Sequence, residues 1–519
     1  MANPEDSYPS GSPEWWLHRL GRRLDERASR MVTLQDYYDG KHPLAFASPK
    51  FREAFGGLFK AFADNFCPLV VDAVEERLNV TGFRVGTTPS GGRLTKAQEI
   101  EVADKDAWRI WQANQLDAES QKAHTTALTK SEASVIVWAD PRDPDTPLIS
   151  IEDPLNCIVA VAPDHPRDRV AALKRWIGDD AYGNATVFLK DQIVTYRTTA
   201  KWTEGMRATW VRSERDDQPN PLPNPLGVVP VVALPNRPRL DGTGESELTQ
   251  IIGAQDAINK LAADMLVAAE FVAYPQRYIT GLDLPVDPDT GRPIEPFNMA
   301  VNRMLVVPPP EDPEPGQGEP KFGEFSVADL RPYVNAIEMW VQHIATRTRT
   351  PAHYLLGQSG QFPSGESLKA TETGLVAKVK RAQRHFGEGW EEVMRLAFLI
   401  TGDKAKGEAI DSEVIWADPE SRSEAEHVDA VTKMASLHVP QVALWEELGF
   451  SPQQIERFLA MREAEALEAA ASFDPFAGLG NGQGAGLGGA PQPGTPPPPT
   501  NGAAGPPRVA GPPGGGQPA

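Results

Sequence analysis

Residues Gly360 to Ser367 read GQFPSGES, and the two glycines have the spacing of a phosphate-binding loop. Such a loop cradles phosphates with backbone N–H groups, neutralises them with a lysine after the second glycine and holds magnesium with the next hydroxyl. Here Glu366 stands in the lysine's place. A carboxylate there repels phosphate, so nucleotide binding is not expected. No HExxH or GxSxG occurs, nor a GxGxxG in useful context. The histidines are scattered, and His124, His343 and His385 fall within helix patterns as ordinary core or surface residues. Asp140, Asp143 and Asp145 stand close together in ADPRDPDTP, but prolines break the run, which suits a turn better than a metal site. Cys67 and Cys157 belong to no CxxC, so neither a disulfide framework nor structural zinc is expected. No catalytic residue and no cofactor is expected.

One basic group follows the glycine-rich loop: Lys369, Lys378, Lys380, Arg381 and Arg384. Lys378, Arg381 and His385 share a helix face by three- and four-residue steps. They could attract phosphate locally. The plainer reading is a solvated face, or salt bridges between subunits.

The elements that must carry these residues are long helices. Gly244 to Ala273 places Leu248, Ile251, Ile252, Ile258, Leu261, Met265, Leu266, Ala269 and Val272 on one face. Glu245 and Glu247 would sit in its first turn, where negative charge suits the helix dipole. Ser326 to Thr350 repeats the pattern, with Ser326 and Asp329 resembling a capping box and Pro351 ending it. Between them, 276–281, 292–297 and 303–307 look like strands of a small insert. Gly365 to Ile400 is a third long helix.

Upstream, helices are expected over Glu14–Tyr38, Phe59–Leu78 (with Pro68 kinking or starting it) and Ala97–Thr129 (broken near Asn114). The period then switches to β-branched runs at 133–139, 148–151, 157–161, 170–177, 185–190 and 193–197, an antiparallel sheet unit. A proline-rich strand and connector, 219–238, leads into the opening helix. Downstream come a strand at 414–418 and helices at 423–436, 440–448 and 452–467. The fold class is therefore α+β.

The chain has 519 residues, enough for roughly two to four domains. Its formal charge of −20 argues against a protein that grips nucleic acid over its whole surface. It shows no signal-peptide pattern and no apolar run approaching the ~18 residues that span a membrane. The reading is of a soluble protein from a reducing compartment. Residues 471–519 are Gly, Pro and Ala with almost no charge, a composition expected to be disordered.

Four stretches, in order, resemble portal proteins of tailed bacteriophages, of the SPP1-like siphophage group. They are Asn65–Phe83 (NFCPLVVDAVEERLNVTGF); Asn224–Asn236 (NPLGVVPVVALPN) followed by Gly244, Glu245 and Ser246; Ser364–Ala370 (SGESLKA); and Trp416–Asp429 (WADPESRSEAEHVD) with Leu448–Glu456 (LGFSPQQIE). The resemblance covers roughly residues 15–465 and implies a phage portal fold closed into a ring of about twelve subunits. It implies a wing at 1–243, stem helices at 244–273 and 326–350, and a clip between them at 274–325. It also implies a tunnel loop at 351–365, a long helix returning through the wing at 366–425 and a crown at 426–470. The implied role is a head-to-tail connector at one capsid vertex, the channel for double-stranded DNA in packaging and ejection. Implied partners are the chain itself, DNA, the terminase large subunit, head-completion proteins, and the major capsid and scaffold proteins, with no membrane. The location would be the virion, reached from the host cytoplasm. The alternative is another multimeric virion adaptor or capsid-interior protein.

Stem helices of these extents would be roughly 45 Å and 36 Å long, enough to line a channel. An acidic ring holds phosphate weakly, which lets DNA slide. Gln358, Ser359, Gly360, Gln361 and Phe362, polar and glycine-flanked, are the residues expected to reach the DNA. Asp256, Lys260, Asp264, Glu338 and Gln342 are the candidate lining of the stem. Lys369, Lys378 and Arg381 are the candidate basic contacts.

Overall fold

A computed structural model describes residues 4–43, 45–46, 49–50, 53, 63–85, 104–203, 205–206, 208–213, 219–273, 277–280, 321–324, 329–356, 365–420 and 424–472. The chain divides into two units, Met1–Phe458 and Leu459–Ala519. The second contains the C-terminal part of helix Pro452–Ser472, which runs past the expected end at Leu467.

Helix Pro13–Tyr38 starts where expected: Ser12 Oγ accepts the Trp15 N–H at 3.2 Å, and Pro13 opens the first turn. Leu17, Leu20 and Leu24 pack on Leu173, Val187, Val194 and Tyr196 of an antiparallel sheet. That sheet is built from Cys157–Val161, Arg169–Ile177, Tyr182–Leu189, Gln192–Lys201 and Trp210–Arg212, with Leu222–Pro223 beside the fourth. A second sheet sets Glu132–Asp140 between Asp143–Glu152 and Val231–Pro235. Asp140 and Asp143 face each other at its hairpin end, so the acidic run is a turn. The outer edge of Asp143–Glu152 is occupied by side chains. Asn114 Nδ2 donates to Pro147 O at 2.9 Å, and Asn114 Oδ1 accepts from Ile149 N at 2.9 Å.

Helix Gly365–Thr401 buries Leu375, Val379, Phe386, Trp390, Val393 and Ala397 in the main core together with Val135 and Leu234 of that second sheet. Gly389 is glycine because of this approach: a Cβ there would lie 2.1 Å from Leu234 Cδ2. The core also joins distant chain ends. Val80–Arg84 pairs antiparallel with Glu413–Trp416. His124 is fully buried against Phe386, Trp390 and Trp416, and its Nε2 accepts the Trp390 Nε1–H at 2.9 Å.

Burial pushes the His124 imidazole down from 6.5 to about 3. A folded pKa below the unfolded one means that the unfolded chain takes up the proton first. Stability from this site is therefore complete above pH 6.5 and falls between there and pH 3, by about 1.4 kcal/mol per pH unit at the limit. Denaturant midpoints of wild type and His124→Gln should converge as pH falls through this window; a constant gap would show that His124 does not titrate on unfolding.

Several boundaries differ from the sequence reading. The helix expected from Phe59 is described from Cys67, with Pro68 in its first turn and residues 63–66 non-helical. By contrast, the break expected near Asn114 is present: Lys105–Ala113 and Leu116–Lys130 are divided at Gln115 with φ 55°. The helix expected from Gly244 begins at Ile252, and the one expected from Ser326 begins at Arg331. Ser326 lies outside the described residues, and Asp329 accepts from the nearby Arg331 N–H at 3.0 Å. In the insert, Arg277–Thr280 pairs antiparallel with Lys321–Glu324. The strands expected at 292–297 and 303–307, the loop residues 358–362 and the tail from 473 lie outside the described residues.

Candidate functional site

Helices Ile252–Ala273 and Arg331–Thr348 are the walls of the candidate site. They run antiparallel, since Arg347 Nη1 near the end of one donates to Gln250 O, just before the start of the other, at 3.1 Å. Ala254, Ile258, Val341, Ile344 and Ala345 bury the seam between them.

Glu247 is the root of this pair. It is not in a helix's first turn, as the sequence reading had it. The segment before Ile252 is tied down in another way: Glu245 N–H donates to Asn236 O at 2.8 Å and Glu247 N–H to Leu128 O at 2.9 Å. The Glu247 carboxylate, with 3% of its side chain exposed, pairs with Lys378 Nζ at 2.7 Å and Arg237 Nε at 3.0 Å. Lys378 Nζ also donates to Thr348 O at 3.0 Å. One buried cluster thus joins the approach to the first wall, the end of the second and the long helix. Burial alone would raise the Glu247 carboxyl; the charges of Lys378 and Arg237 outweigh it and hold it below the usual range. Burial pushes the Lys378 ammonium down, a shift that the Glu247 carboxylate opposes.

This corrects the reading of Lys378 as a phosphate contact, because its ammonium is enclosed in its own subunit. The rest of the basic group divides. Lys380 pairs with Glu420 at 3.0 Å, Arg384 Nε donates to Lys380 O at 3.2 Å, and Lys369 and Arg381 are exposed.

The candidate lining residues also divide. Asp256 is buried and accepts the Tyr37 hydroxyl at 2.7 Å, which corrects its place on an open face. Its neighbours belong to the same docking face. Gln255 bonds Phe66 N and Asp64 O, at 2.9 and 2.8 Å, and Asn259 meets His42 Nδ1 at 2.9 Å. A polar residue satisfied inside the subunit and one left for solvent look alike in a helix pattern. Lys260 and Asp264 pair with each other one turn apart and are half-buried. Glu338 and Gln342 are exposed. Asn335 and Thr346, which the sequence reading passed over, continue their strip at three- and four-residue steps and are exposed too.

Both approaches to the glycine-rich loop are fixed. Helix Ala352–Leu355 precedes it, and the Tyr354 hydroxyl accepts from Arg77 at 2.8 Å and donates to Glu372, beyond the loop, at 2.7 Å. Among the described residues no group of three or more His, Cys, Asp or Glu could hold a metal ion.

A profile of the family described as phage portal protein, SPP1 Gp6-like, matches residues 17–467. The chain belongs to this portal family. The portal proteins of Mycobacterium phages D29 and L5 are each 31% identical to it over 418 residues, 77% of this chain and 78% of theirs. Among solved structures, a chain from the virion of a native gene transfer agent particle matches with TM-score 0.39 and 14% identity, over 81% of this chain and 94% of its own. As a portal protein, the chain is a virion component of the α+β portal fold. It is the head-to-tail connector through which the genome is packaged and ejected. Portal proteins are structural and form rings with themselves, associated with capsid and terminase.

Proposed function

We propose that this portal closes into a ring of about twelve copies, with Ile252–Ala273 and Arg331–Thr348 as the stem of its channel. The carrying observation is the helix pair rooted in the Glu247–Lys378 cluster, with an antiparallel ribbon, Arg277–Thr280 and Lys321–Glu324, at its far end. In this reading residues 1–243 form the wing and 274–325 the clip, where the terminase large subunit docks before head-completion proteins replace it. The crown is 426–470, facing major capsid and scaffold proteins. Glu338 and Gln342 line the channel, with Lys260 and Asp264 as a mutually neutralised pair. Lys369 and Arg381 supply sparse attraction for the DNA backbone. The ring assembles in the host cytoplasm and carries out no catalysis.

The tunnel loop includes Gln358, Ser359, Gly360, Gln361 and Phe362, and support for it comes from its fixed approaches at Tyr354 and Glu372. Deleting 358–362 should leave rings intact by negative-stain microscopy while the yield of packaged, DNA-retaining heads falls sharply. Normal packaging by intact deleted rings would remove the loop from the channel.

A further inference from the structure

Arg349 caps helix Arg331–Thr348 in the left-handed region, at φ 57°. Glycine takes such a cap freely, and residues with a Cβ hold it only against a steric cost. The helix end has no need of an arginine there. The cap's own N–H donates to Ala345 O, and Thr348 O already receives Lys378 Nζ at 3.0 Å. Arg349 is exposed, and among the described residues no carboxylate pairs with it, in a chain of 71 acidic and 51 basic residues. With Arg237, its charge adds to burial in pushing the Lys378 ammonium down, so within its own subunit it is unfavourable.

Its surroundings point to a ligand. Helix Gly365–Thr401 meets it at Gly374, where a Cβ would lie 3.6 Å from Arg349 Cβ. Arg381 follows on the same face of that helix, about two turns and 10 Å further along. It too is exposed and, among the described residues, has no carboxylate partner. Lys378 stands between them but is turned inward to Glu247. Both arginines lie near the root of the glycine-rich loop, which the Tyr354–Glu372 bond closes. Unpaired guanidinium groups so placed suit an anion of closely spaced charges, and guanidinium binds phosphate oxygens in pairs. We propose that Arg349 and Arg381 clamp the phosphate backbone of double-stranded DNA at this root. The clamp rests on the ring and channel reading above.

The test measures binding of a short mixed-sequence duplex to assembled rings across a salt series. Arg349→Gly should unfold at a urea midpoint equal to or above wild type, because glycine accepts the cap, and should form rings normally. Its affinity for the duplex at low salt should nevertheless fall at least about fivefold, with a shallower slope against salt, since fewer counterions are released. Arg381→Gln should behave alike. A wild-type slope in either variant overturns the clamp and leaves the ring reading standing. Failure of Arg349→Gly to form rings also overturns it, because Arg349 would then hold a carboxylate of the neighbouring subunit. Wild-type rings that do not bind the duplex at low salt overturn the clamp as well. A wild-type chain that forms no rings by negative stain overturns the ring reading and the clamp together.

Discussion

Lys378→Met is expected to destabilise the subunit by about 3–5 kcal/mol, the cost of stranding a buried charge. Glu247 would then keep only Arg237 and the Asn236 amide, inside a site that admits almost no water. The same change removes the donor to Thr348 O at the end of helix Arg331–Thr348. Removing both charges, as Glu247→Gln/Lys378→Met, should recover only part of the loss, because Arg237 then loses the carboxylate it pairs with. Urea midpoints of the purified single and double variants check this. A Lys378→Met midpoint equal to wild type would mean that water reaches the pair. The pH dependence has a definite sign. The Glu247 pKa is held below its ordinary 4.5, so its contribution is present above that pH and is lost as acid passes down through the folded value.

Gly244→Ala is the second large effect. A Cβ at Gly244 would lie 1.9 Å from Ser131 O and 3.2 Å from Asn236 O, both backbone atoms with nowhere to swing. Those carbonyls are in use: Ser131 O accepts Asn236 N–H at 2.9 Å, and Asn236 O accepts Glu245 N–H at 2.8 Å. Forcing them apart loosens the segment that delivers Glu247 to its partners. Overpacking of this kind costs about 1–3 kcal/mol or more, and here two hydrogen bonds go with it. The readout is the urea midpoint together with the yield of rings. An alanine variant that assembles and unfolds like wild type would show that this crossing relaxes freely.

The helices and strands were legible because their apolar residues keep period: Leu20 and Leu24, or Phe386, Trp390, Val393 and Ala397, are buried where the pattern put them. Gly244 to Ile251 was misread as helix because its apolar spacing continues the helix's own, while the Glu245 and Glu247 N–H groups bond across a turn to Asn236 and to Leu128 far away in sequence. The polar residues of the site were the least legible. Asp256 and Glu338 both interrupt an apolar stripe, yet Tyr37 claims one and solvent the other. Lys378 sat in a basic run that suggested phosphate, and only folding brings it to Glu247. The asparagine-capped edge at Pro147 and Ile149 had no local signature at all.

The pairing of Val80–Arg84 with Glu413–Trp416 bears on how a ring stays free of faulty parts. The N-terminal strand waits for a partner that leaves the ribosome only after most of the chain has been made. A contact so distant in sequence is late and slow to form. A prematurely terminated chain ending before Glu413 leaves Val80–Arg84 unpaired and the His124 side of the core without Trp416. Synthesis as far as Trp416 is thereby written into the fold as a condition for joining: a subunit able to take its place is one in which these two distant strands have met.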